Sequence, residues 1–219
     1  ARQNLFGYEI IRPPSTFSHP NSLAGYLLIV FYLFLQKDKK TLTKIIPFIG
    51  ILLTLSKTAI VVLSFLLFNL KSEIIIVLSF LFTLAQPLLF LMQSSWQPLS
   101  DRLFFYPYLP KIISSHFFSG VGFGNFIPSL GNYLPGSFLT PAKLQPIHNL
   151  LYLYLSEFGL LGFFVAIYSL TTRTYKKVIS KPALLGLIAI ILFTGSFDHY
   201  VFTLPQNKLI ILLAFSILL

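Results

Sequence analysis

Few residues of this 219-residue chain could do chemistry, since charged side chains make up only 10% of it. The candidates are His19, Lys57, Arg102, Lys111, His116, Lys143, His148, Asp198 and His199. Imidazole moves protons near neutral pH, and ammonium or guanidinium groups hold phosphate-bearing ligands. Other chemistries find little support. The chain has no cysteine, and no two histidines stand at HxxxH or HxxH spacing, so the zinc signal is weak. Asp198-His199 is a local acid–imidazole pair, but adjacent residues rarely point at one ion. Neither a metal nor a cofactor is expected. There is no GxSxG for a serine hydrolase. The run Gly120-Val121-Gly122-Phe123-Gly124-Asn125 fails the GxGxxG pattern at Asn125, and no βαβ unit surrounds it. Its glycines suit a tight backbone turn.

The elements that must position these residues are apolar. Hydrophobic residues make up 55% of the chain, with 24 Phe and 11 Tyr spread along it. By its mean hydropathy of +0.80, neither a soluble globular monomer nor a disordered tail is expected. Sixteen Lys+Arg against six Asp+Glu give a net charge of +10. The basic residues fall between apolar runs, which suits anionic lipid headgroups or phosphate ligands rather than nucleic acid. The chain starts at Ala1 without a Met and stops inside an apolar run, so a fragment of a longer protein is expected.

Mostly apolar stretches, uncharged except for Glu157, cover residues 22–35, 45–55, 58–70, 74–91, 150–170, 182–197 and 209–219. They predict an all-α, polytopic membrane helix bundle of about seven spans or half-spans. It would be a single membrane domain over 1–219, with 92–149 as a large outer loop. Residues 36–44 and 171–181 are both basic, and short basic loops stay on the cytoplasmic side. Both can do so only if residues 45–70 break into two helices at Ser56-Lys57. Lys57 would then sit below the outer surface, where an ionisable group is a functional candidate. An apolar helix-like stretch follows Pro110, and prolines and glycines make the rest of 92–149 irregular.

Five fragments, in order, resemble the O-antigen ligase/polymerase superfamily. Ser18-His19-Pro20-Asn21 is similar to its "HPN" start of a span. Leu53-Thr54-Leu55-Ser56-Lys57-Thr58-Ala59 is similar to its "T-x-S-R-x-A" break, with Lys57 in place of Arg. Arg102 with Gly120–Phe126 looks like "R … G-V-G-x-G-x-F". His148-Asn149 and Leu153, with Glu157, Gly159 and Gly162, resemble "H-N-x-x-L … E-x-G-x-x-G". Asp198-His199-Tyr200 is similar to a stretch near the family's last spans. The resemblance covers nearly the whole chain, as the C-terminal part of a member.

It implies a GT-C-like architecture in the bacterial cytoplasmic membrane, multi-pass, with the active site facing outside. The implied activity is transfer of a glycan from an undecaprenyl-pyrophosphate carrier to a lipid or protein acceptor, without a cofactor. The expected partners are that carrier-linked glycan, the acceptor and membrane lipids, with no nucleic acid. Cations can bind the pyrophosphate leaving group and stabilise its charge. Arg102 is the catalytic candidate and Lys57 a phosphate-binding one, with Lys143 and His19 as further substrate contacts. Lys57 replaces the guanidinium fork by a point charge. The acceptor hydroxyl needs a base, and His148 is chosen because it opens a span beside Asn149, which can orient a ligand or cap the helix. Glu157 is expected as a buried structural acid, and Gly159 and Gly162 as places where another helix packs closely.

Two rivals stand beside a ligase. A repeat-unit polymerase would use a second carrier-linked unit as acceptor. A polyisoprenoid or polysaccharide transporter would need charges along a path through the bundle, which this chain lacks apart from Glu157.

Overall fold

The structure, a computed structural model, describes residues 2–5, 8–11, 17, 19–37, 40–91, 104–136, 140, 144–171 and 180–219. Strands β1 (Arg2–Leu5) and β2 (Tyr8–Ile11) pair antiparallel, with Arg2 opposite Ile11 and Leu5 opposite Tyr8. The other described elements are helices: α1 (Pro20–Lys37), α2 (Thr41–Leu53), α3 (Lys57–Leu67), α4 (Ser72–Leu91), α5 (Leu109–Ser115) and α6 (Phe126–Ser129). After a 3-10 turn at Leu130–Asn132 come α7 (Leu150–Thr171), α8 (Pro182–Phe197), α9 (Tyr200–Thr203) and α10 (Pro205–Leu218). The chain forms two compact units. One comprises Ala1–Leu78, Val178–Gly195 and Tyr200–Leu219, the other Ser79–Lys177 and Ser196–His199.

The expected membrane bundle is overturned. Among the described residues, no helix is long and apolar enough to cross a membrane. Hydropathy counts side chains, but helices end where the backbone turns. The run 45–70 is two helices of 13 and 11 residues, about 20 and 17 Å long against a ~30 Å hydrocarbon core. The 22 residues of α7 are interrupted at Gly159, whose φ of 60° and ψ of −160° are not helical. With the bundle go its GT-C-like membrane architecture, the multi-pass placement in the bacterial cytoplasmic membrane and the outward-facing site.

In the first unit, α1 packs against α2, α3, α9 and α10. Its buried Leu28, Ile29, Phe31 and Leu33 join Ile51, Val62, Leu63, Leu187, Ile190, Ile210 and Ala214 in the core. Tyr32 Oη donates to the Ala183 carbonyl at 2.7 Å, tying α1 to α8. The break at Ser56-Lys57 is present. Leu55 has a φ of 52°, Thr54 Oγ1 donates to the Ile51 carbonyl at 2.6 Å, and the Ser56 amide donates to Thr54 Oγ1 at 3.3 Å. The Thr54 hydroxyl here supplies the backbone with local partners that compete with helix.

The second unit has its own core of Phe105, Tyr106, Leu109, Ile112, Phe126, Leu130, Leu134, Ile147 and Leu153. Phe105 meets Phe126 edge-on, and Tyr106 meets Tyr152 likewise. The turn after α5 is sewn to the interruption in α7. The Leu160 and Leu161 amides, which lack partners where α7 restarts, donate to the Phe117 and Phe118 carbonyls at 2.8 and 2.9 Å. The Ser156 and Glu157 carbonyls accept the Val121 and Gly122 amides at 2.9 Å each. Two amides and two carbonyls at the interruption thus find backbone partners in the turn. Gly159 was expected to face another helix; it faces this turn instead.

Candidate functional site

The site is built where α7 begins. Asn149, fully buried, is the N-cap: its Oδ1 accepts the Leu151 amide at 3.0 Å and the Tyr152 amide at 3.2 Å. Its Nδ2 donates to Gln86 Oε1 at 2.8 Å, to the Ser196 carbonyl at 3.2 Å and to Thr83 Oγ1 at 3.4 Å. Gln86 in turn donates through Nε2 to the same Ser196 carbonyl and accepts the Tyr106 hydroxyl. Burial, then the neighbouring Tyr152 phenol, pushes Tyr106 above the ordinary phenol range, so it stays protonated as a donor. Ser196 Oγ also donates to the Ser79 carbonyl at 3.2 Å, and Phe197 stacks on Phe82 with ring centroids 3.9 Å apart.

This network fixes the backbone at residue 149 against that at residue 196, within one unit. The neighbours of those two positions then meet. His148 Nδ1 lies 3.3 Å from Asp198 Oδ1, with the two side chains only 10% and 11% exposed. The His148 and His199 rings sit 5.1 Å apart at 46°, and His199 is buried. One donor atom from each of His148, Asp198 and His199 lies within 4.8 Å of the others.

An ionised carboxylate only accepts hydrogen bonds, so the His148–Asp198 contact puts the imidazole proton on Nδ1. Nε2 then carries the lone pair, as in a base whose tautomer is held by an acid. Desolvation strengthens that hold, because charge–dipole attraction grows as water is excluded.

The other expected residues fall elsewhere. Arg102 and Lys143 lie outside the described residues. Lys57 opens α3 in the first unit with its side chain exposed, not sunk at a membrane depth. His19, also in the first unit, stacks on Tyr200 with centroids 5.0 Å apart and accepts the Asn21 amide at Nδ1, 3.2 Å away. Asn149 sits beside His148, but both ends of its amide are engaged within the protein, so it positions rather than contacts. Asp198 and His199 were noted in the sequence without a role at the site. The signals available were their adjacency and the rarity of such residues, in a chain with six acids and four histidines.

No protein-family model, curated protein or solved structure matches the chain. The link to the O-antigen ligase/polymerase superfamily therefore stands on the short motifs alone. Several of those motif residues have structural work here: Asn149 caps, and Gly120 and Gly159 let the turn reach the broken helix.

Proposed function

We propose that the chain transfers a glycan from an undecaprenyl-pyrophosphate carrier to an acceptor hydroxyl, with His148 as the general base. The observation that carries this is the 3.3 Å contact between His148 Nδ1 and Asp198 Oδ1, two nearly buried side chains. In the reaction, the acceptor O–H proton passes to His148 Nε2. The oxygen forms a new bond to the anomeric carbon. The bond from that carbon to the carrier's phosphate oxygen breaks, and its electrons leave on the pyrophosphate. Asp198 holds the Nδ1–H tautomer and stabilises the imidazolium that forms. Arg102 is the residue that the motif resemblance gives to the phosphates, with Lys143 as a further contact.

The test uses the full-length protein, a synthetic carrier-linked glycan and an acceptor. His148→Ala should lower transfer by about 10²–10⁴-fold, the usual worth of a positioned base, while carrier binding stays intact. Transfer at the native rate by that variant refutes the assignment. Product analysis separates the two acceptor classes: a lipid or protein acceptor marks a ligase, and a second carrier-linked unit marks a polymerase.

A further inference from the structure

His148, Asp198 and His199 offer two imidazole nitrogens and one carboxylate oxygen, each from a nearly buried side chain. Two features make this trio more than a catalytic pair with a neighbour. The first is a distance. A tetrahedral zinc ion with bonds of about 2.0 Å places neighbouring donor atoms about 3.3 Å apart. The His148 Nδ1 to Asp198 Oδ1 separation is 3.3 Å, long for a charge-assisted hydrogen bond but the right width for one edge of such a tetrahedron. The second is local backbone. Asp198 and His199 fall between α8, which ends at Phe197, and α9, which begins at Tyr200. Outside a helix, adjacent side chains are not forced about 100° apart, so both can face one point.

The third donor has to close in, because the three atoms lie within 4.8 Å of one another rather than at that edge length. Rotation of the His199 ring about its own side-chain bonds is the movement required. Two imidazoles and a carboxylate form a borderline-soft set, which favours Zn²⁺, Co²⁺ or Ni²⁺ over Mg²⁺ or Ca²⁺. Three protein donors leave a fourth position for water.

We propose that His148, Asp198 and His199 form a binding site for one divalent transition cation of the Zn²⁺ class, and that its occupation switches the base off. A cation on His148 Nδ1 displaces the proton that Asp198 holds there. That single ring proton moves to Nε2 as the tautomer shifts, so Nε2 becomes a donor and can no longer take the acceptor's proton. The switching half rests on the glycan-transfer reading; the binding half does not.

The experiment titrates untagged, full-length, chelator-stripped protein with ZnCl₂ by calorimetry, and with CoCl₂ by visible absorption. One saturable site per chain is expected, with the intense visible bands of four-coordinate cobalt. Asp198→Asn, His199→Ala and His148→Ala should each weaken binding by more than the roughly 10–100-fold that loss of an outer-shell partner costs. His116→Ala, outside the trio, should leave it unchanged. Asp198→Asn keeps shape and size, so it guards against an unfolded variant, and far-ultraviolet circular dichroism checks the fold of all four. No saturable binding, or binding unchanged in all three trio variants, overturns the site. In the transfer assay, one equivalent of Zn²⁺ should inhibit and a chelator should restore activity. Stimulation, or no effect at saturating Zn²⁺, overturns the switch. If no transfer is seen with or without metal, the glycan-transfer reading fails, and the binding site is decided by the two titrations.

Discussion

Gly120 and Gly159 meet backbone to backbone. A Cβ on Gly159 would lie 2.5 Å from the Gly120 amide nitrogen, and one on Gly120 would lie 2.3 Å from the Glu157 carbonyl carbon and oxygen. Both residues have positive φ, 66° and 60°. The glycines thus have one purpose: they let the turn after α5 come close enough to take over the hydrogen bonds that α7 gives up. Gly120→Ala and Gly159→Ala each combine a left-handed backbone with an overlap against main chain that cannot rotate away. Each should destabilise the fold by more than about 2 kcal/mol in urea unfolding. Gly131→Ala, where an added Cβ meets nothing within 4 Å, should stay within about 0.5 kcal/mol.

Asn149 separates capping from positioning. Asn149→Ala removes the cap, worth about 1 kcal/mol, and also takes one of two donors from each of the buried Gln86 and Ser196 acceptors. Asn149→Asp keeps the cap but turns the donor end into a second acceptor facing Gln86 Oε1 and the Ser196 carbonyl. If the cap were all that mattered, Asp would serve as well as Asn. The expected result is that both variants lose about 2–4 kcal/mol by chemical denaturation, with Asp no better than Ala.

These two cases mark what could be read along the chain. The break at Ser56-Lys57 was read from the two basic segments 36–44 and 171–181, whereas in the structure the Thr54 hydroxyl serves it, bonding the Ile51 carbonyl and the Ser56 amide. The tight turn at the Gly120 run was legible because only glycine tolerates it. Helix length was not: residues 150–170 are mostly apolar with a single charge at Glu157, and nothing in their hydropathy says that Gly159 interrupts the backbone. The partner of His148 was not legible either, since Asp198 lies 50 residues away and depends on the Asn149–Gln86–Ser196 network to be brought in. Periodicity speaks for neighbours along one element, and side-chain networks join elements it does not connect.

Tyr106 gives the fold an alkaline limit. Its phenol is pushed up by burial and then by Tyr152, so the folded protein keeps a proton that the unfolded chain loses. A raised folded pKa means that this stability is fully present below the unfolded value of about 10 and falls as pH rises above it. Thermal unfolding followed from pH 8 upward should show a steady Tm to about pH 10 and a decline beyond. Tyr106→Phe should start from a lower Tm, having lost its bond to Gln86, but with a shallower decline. An equal slope in both proteins would assign the alkaline loss to other groups.

The sharpest test of the site treats His148 and Asp198 as a unit. Asp198→Asn keeps the shape of the side chain but offers an amide that can donate to Nδ1, which places the ring proton on Nε2 and removes the base. Its loss should appear in kcat with KM for the carrier-linked donor little changed, because the interaction matters only as the proton moves. His148→Ala should fall by a similar or larger factor. If Asp198 acts through His148, the double variant can lose no more than His148→Ala alone, because the aspartate has no remaining partner to orient. If the two act independently, their losses multiply. Transfer rates of the wild type, both single variants and the double variant therefore decide between one coupled pair and two unrelated residues, and multiplied losses would remove Asp198 from the mechanism.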